Sequence, residues 1–157
     1  MMQIAPQIDP TSSGIMILNR NAKPLFERAR LRAILYRFRS LLTRKSRDLD
    51  CFSDHFPAAI LQKLHPFTAQ VQINQIRGSV NRKHEFDCDF YPLIDAVETR
   101  WVRIASMMLQ GKALPPVELV QADDSYFVID GHHRISVSRM LGHLYIDAEV
   151  QSVALYG

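Results

Sequence analysis

The stretch YFVIDGHHRISVSRMLG, from Tyr126 to Gly142, constrains the fold more than any other part of the chain. Tyr126 to Ile129 is aromatic and β-branched, the composition of a buried strand. Asp130-Gly131 interrupts it, because glycine reaches backbone angles closed to other residues. From His133 the apolar period changes. Ile135, Val137, Met140 and Leu141 suit one side of a short helix, and Gly142 suits its C-terminal stop. The unit is strand, tight turn, helix, with Gly-His-His-Arg at the turn.

A helix N-terminus presents unpaired backbone N–H groups and the positive end of the helix dipole. Gly131 allows a ligand to approach the backbone. Arg134 adds a permanent cation with forked donors, and His132 and His133 can donate hydrogen bonds or take part in proton transfer. The guest that suits such a turn is an anion, a phosphate chain above all. The competing reading is a strand-to-helix turn whose polar residues are solvated.

Asp130-Gly-His-His-Arg134, set between a hydrophobic strand and a helix ending in Leu141-Gly142, resembles the phosphate motif of the ParB/sulfiredoxin superfamily. ParB proteins carry Gly-Glu-Arg-Arg there, sulfiredoxins Gly-Cys-His-Arg, and the free serine kinases of this fold Asp-Gly-x-His-Arg. The resemblance covers Val71 to Val150, about half of the chain. It implies that Gly131, His132, His133 and Arg134 hold the phosphates of a nucleotide (ATP, ADP or CTP), with Mg²⁺ as a candidate co-ion. Ser79 and Arg82 are candidates for lining the same cleft. In the serine kinases the general base is a Glu in a His-Glu pair after the first strand. His84-Glu85 resembles that pair at a longer interval, so Glu85 is a candidate base, with Asp87 an equally placed alternative. Asp130 is a candidate metal or hydroxyl contact.

The rest of the chain fits an α+β domain: a small mixed sheet with packed helices. Val71 to Ile76 alternates like a half-buried strand. Pro92 to Gln110 reads as the longest helix of the domain, with Ile94, Val97, Trp101, Ile104 and Met108 on its buried stripe. Leu114 to Val120 is a strand that two prolines open, Ala122-Asp-Asp-Ser125 is a hairpin turn, and Ile146 to Val150 closes the sheet. The expected order is strand, helix, hairpin, helix, strand.

The basic residues lie elsewhere. From Arg20 to Asp48 the chain carries ten of its 19 Lys/Arg and two of its 16 Asp/Glu, so the net +3 belongs to one segment. Residues 1–21 read as irregular, 22–66 as a basic amphipathic helix with a connector, and 67–157 as the domain. Within the helix, residues 22–47, Leu31, Ile34, Leu35, Phe38, Leu41 and Leu42 form a stripe with arginines on the other faces. Three roles stay open: packing of the stripe on the domain, binding to an anionic membrane surface, or contact with nucleic-acid phosphates. In the connector, Ser53 or Asp54 suits the cap of a short helix containing Pro57 to Leu64. Cys51 and His55 are four apart, but no second pair completes a metal site, and none is expected.

Cys51 and Cys88 are too few for a disulfide scaffold, no apolar run has the length of a membrane span, and the start lacks the pattern of a signal peptide. A cytoplasmic location is expected. Sulfiredoxin chemistry is not, because His132 stands where that reaction needs its cysteine. Chromosome partition is not expected either, because the chain stops at Gly157 shortly after the last strand. A nucleotide-binding module leads. A kinase or NTPase, ATP- or ADP-dependent and acting on a small hydroxyl compound in the manner of the free serine kinases, comes second. An adaptor working through the basic helix is third. The oligomeric state is not legible.

Overall fold

A computed structural model describes residues 10–43, 46–56, 59–81 and 84–155. Helix α1 (Pro10–Thr43) comes first, followed by strand β1 (Asp50–Cys51) and a single turn of helix, α2 (Phe52–His55). Strand β2 (Ala59–Gln72) leads through a 3₁₀ turn at Ile73–Gln75 into β3 (Ile76–Ser79). Helix α3 (Glu98–Leu109), the hairpin of β4 (Val117–Ala122) and β5 (Ser125–Asp130), helix α4 (His132–Leu141) and β6 (Tyr145–Leu155) complete the fold. The six strands form one mixed sheet in the order β1-β3-β5-β4-β6-β2. The α+β architecture, with a mixed sheet, packed helices and a basic helix before them, is the one expected from the sequence.

Side-chain alternation along the strands separates two cores. Val117 and Leu119 of β4, Val128 of β5 and Val150 of β6 face one side, where Ile135 of α4 and Phe90 pack on them. Val120, Ala122 and Phe127 face the other side and meet Phe52 of α2. A third cluster lies among the helices. Trp101 of α3 is fully buried, donates its indole N–H to Ser136 of α4 at 2.8 Å, and meets Phe26 of α1 edge-on with ring centroids 5.5 Å apart. Ala22, Ala29 and Ala33 of α1 are buried, as is Ala105 of α3. Methyl side chains at these positions let α1 and α3 approach closely.

Several boundaries differ from the sequence reading. Helix α1 starts at Pro10, inside the segment read as irregular, and continues through Pro24. Ala59 onward is strand β2, not a capped helix over Pro57 to Leu64; the short helix sits earlier, at Phe52–His55. The Val71–Ile76 strand is the end of β2, the 3₁₀ turn and the start of β3. The helix read from Pro92 begins at Glu98, after a 3₁₀ turn at Asp95–Val97.

The largest difference is which face of α1 is covered. Its packed side is Ala22, Phe26, Ala29 and Ala33, while every member of the stripe from Leu31 to Leu42 is more than half exposed. Packing of that stripe on the domain is thereby overturned.

Asp87 organises the loop between β3 and α3. One carboxylate oxygen accepts the backbone N–H groups of Asp89 at 3.0 Å and Tyr91 at 2.8 Å, and the other accepts from Arg47 at 3.3 Å. Arg47 also pairs with Asp89. Asp87, the alternative to Glu85 in the sequence reading, is buried and serves this knot. Burial holds its carboxyl above the ordinary carboxylate range, against the pull of the Tyr91 N–H and Arg47. The proton-linked part of its contribution is therefore full below the ordinary Asp pKa and is lost as pH rises through the raised value, while its hydrogen bonds to the Asp89 and Tyr91 N–H groups persist. Asp87→Ala strands two N–H groups and removes one partner of Arg47, and is expected to cost about 3 kcal/mol in urea unfolding. Asn keeps an acceptor oxygen without the charge and should cost clearly less at neutral pH.

Candidate functional site

The site begins with chain direction. Strands β3 and β5 are parallel neighbours, with Ser79 opposite Val128. Their carboxyl ends, Ser79 and Asp130, therefore open on the same edge of the sheet, and α4 starts there. In sheets with parallel neighbours the crevice beyond the carboxyl ends is the usual ligand position.

Gly131 makes the turn possible. It is the N-cap residue of α4 at φ +104°, and a Cβ there would lie 2.5 Å from Cγ1 of Val117. Only a residue without a side chain fits both the angle and the gap. Gly131 supplies no side-chain cap, and its carbonyl accepts the Ile135 N–H at 3.0 Å to close the first helical turn.

The histidines are buried, with 3% of His132 and 6% of His133 exposed. His132 Nε2 shares a 2.7 Å hydrogen bond with the Ser79 hydroxyl, its direction set by the imidazole tautomer. This bond ties the first residue of α4 to the end of β3. Phe86 lies nearly parallel to the His132 ring at 6.2 Å and edge-on to His133 at 5.3 Å. Both imidazoles thus form the floor under the turn.

Arg134 is held as well. It donates to Asp130 at 2.6 Å and to the carbonyls of Pro115 at 2.5 Å and Pro116 at 2.8 Å. The two prolines leave those carbonyls at the mouth of β4, and Arg134 bridges them to the end of β5. The guanidinium is fixed beside the turn and is not a loose fork awaiting a guest. Asp130 remains half exposed beside it.

Ser79, Asp130, Gly131, His132, His133 and Arg134 are brought together. Glu85 is half-buried, and its carbonyl accepts the Leu93 N–H at 2.8 Å. Its neighbour Phe86 packs on both histidines, so the segment bearing Glu85 passes the start of α4. Arg82 lies outside the described residues.

A cleft of about 720 Å³ adjoins Asp130 and Arg134. Its far wall is α3, with Thr99, Arg100 and Arg103, and Glu118 of β4 joins it. Sequence reading missed Arg100 and Arg103. Their spacing of three places them on one helix face, which was legible, but the surface they face comes from the tertiary packing of α3 beside β4.

No family model matches this chain, and no curated protein does. Among solved structures it is similar to a sulfiredoxin from Arabidopsis thaliana, with 17% identity over 55% of this chain and 86% of that chain, at a TM-score of 0.43. A likeness of that depth leaves the chemistry to the residues themselves.

Proposed function

We propose that the protein is a nucleotide-binding module that seats a phosphate chain at the Asp130–Arg134 turn. The observation that carries this reading is Gly131. It joins an interior strand to the first turn of α4 without a capping side chain, where the carboxyl ends of two parallel strands converge. Backbone N–H groups and the positive helix end favour an anion at such a place. The cleft beside it supports the reading, because Arg100, Arg103 and Arg134 outnumber Asp130 and Glu118 along its walls. The resemblance of Asp-Gly-His-His-Arg to nucleotide-phosphate motifs points the same way. In this reading His132 and Ser79 fix the turn and Arg134 balances phosphate charge. The half-exposed carboxylate of Asp130 would be the group to hold a Mg²⁺, which would offset the repulsion between that carboxylate and the phosphates.

A second reading, phosphoryl transfer to a small hydroxyl compound, is favoured by the passage of the Glu85 segment past the turn. Such transfer needs positioning, charge neutralisation and an acceptor for the hydroxyl proton; in this reading Arg134 neutralises charge, Asp130 contacts the hydroxyl or a metal, and Glu85 takes the proton. Calorimetric titration of the full chain with ATP, ADP, CTP and GTP, with and without Mg²⁺, tests the binding. A product assay with and without serine follows for any nucleotide that binds. Glu85→Gln is expected to keep nucleotide affinity in either case. In a kinase it should lose turnover by about 100-fold or more, the usual scale for a general base. Failure of all four nucleotides to bind below about millimolar concentration, the weak end of specific recognition, would sink the reading.

A further inference from the structure

Helix α1 has two opposed apolar faces. Successive helical residues turn by about 100°, so Ala22, Phe26, Ala29 and Ala33 share one side and Leu31, Ile34, Leu35, Phe38, Leu41 and Leu42 share the other. The first side is buried against α3. The second faces outward, with Phe38 68%, Leu41 73% and Leu42 78% exposed. Arg28, Arg32 and Arg39 line one flank of this outer stripe, and Arg30 and Arg37 line the other. Arg30 is engaged by Asp95 at 2.8 Å and Arg32 rests over the Tyr91 ring, while Arg28, Arg37 and Arg39 are exposed. No acidic residue occurs between Arg28 and Thr43. From Leu31 to Leu42 the stripe runs for about 17 Å at the usual rise per residue.

We propose that this face docks the protein on an anionic lipid bilayer, with α1 lying flat between the membrane and the domain. Large apolar side chains flanked on both sides by cations match the boundary between acyl chains and acidic headgroups. The domain holds the other side of the helix, so the stripe is presented ready-made. No helix among the described residues is long and apolar enough to cross a membrane, so the contact is interfacial. Nucleic-acid phosphates would engage the arginines and leave six large apolar side chains without an apolar partner. A second copy related by a two-fold axis would set arginine rows against the same rows.

The test is co-sedimentation of the full chain with vesicles of phosphatidylcholine alone or mixed with phosphatidylglycerol. Binding is expected only to the mixed vesicles and should weaken with salt. The triple variant Phe38→Ser, Leu41→Ser, Leu42→Ser should lose binding by roughly 10-fold or more, since it removes the inserted area. Arg28→Gln, Arg37→Gln, Arg39→Gln together should lose on the order of 100-fold, at about fivefold for each arginine near a charged surface. These positions are exposed, so melting temperatures should stay close to the parent's. No affinity for the mixed vesicles, or affinity that survives the serine variant, would overturn the proposal. So would a concentration-dependent dimer abolished by the serines, or duplex binding abolished by the glutamines and untouched by the serines.

Discussion

Gly131→Val is expected to destabilise the protein by about 2–6 kcal/mol, the sum of a strained backbone angle and an overpacked gap. The residue sits at φ +104°, and the first atom of any side chain would stand 2.5 Å from Val117 Cγ1 and 2.8 Å from Val117 Cβ. Val117 is fully buried in the core of the sheet, so it has little room to withdraw. Because the first added carbon already collides, Gly131→Ala should show much of the same loss. Thermal and urea unfolding of both variants measure it. An alanine variant as stable as the parent would mean that α4 and β4 are not this close.

Arg134→Ala separates a structural tether from a binding residue. Loss of its bonds to Asp130 and to the Pro115 and Pro116 carbonyls should lower stability by about 1.5–3 kcal/mol, the range for hydrogen bonds to a charged group. If the turn also seats phosphate, nucleotide affinity should fall roughly 10- to 150-fold, the same range expressed as binding. Lys should recover part of the affinity, since it restores charge without the planar fork, and little of the stability. Both properties must be read at a temperature where each variant is fully folded. Arg134→Ala that unfolds earlier yet binds ATP, ADP, CTP and GTP as the parent does would reduce Arg134 to a tether and remove the phosphate reading.

The unit at the centre of this fold was legible because its signals are local. A β-branched run, a glycine and a change of apolar period place β5, the turn and α4 within a residue or so of their observed limits. Beyond that unit, periodicity reports that a face is apolar and is silent on what covers it. On α1 the larger aliphatic stripe is left outside, and packing covers Phe26 and the alanines, whose small size lets two helix backbones come close. Strand β2 was misread for a related reason. It exists by pairing with β6, from Ala59 opposite Leu155 to Gln72 opposite Tyr145, and no nearby residue announces that partner. At the site, residue identity was legible but orientation was not. His132 and Ser79 meet only because β3 and β5 are adjacent, and Arg134 turns toward the Pro115 and Pro116 carbonyls just ahead of β4.

The same long-range pairing orders the assembly of the sheet. The β4–β5 hairpin closes through Asp123-Asp124, and α4 follows at once, so the turn region can organise from neighbours in sequence. Strand β2 must wait for β6, and joining Gln72 to Tyr145 closes a loop through nearly half of the chain. Loop closure of that span carries an entropic cost that local hairpins avoid, and contacts of this kind form slowly. During synthesis β2 is therefore a 14-residue segment whose partner strand emerges only after the rest of the sheet has been made. Pro66 lies within it and lacks a backbone N–H, which makes the segment a poor template for pairing with another chain during that wait.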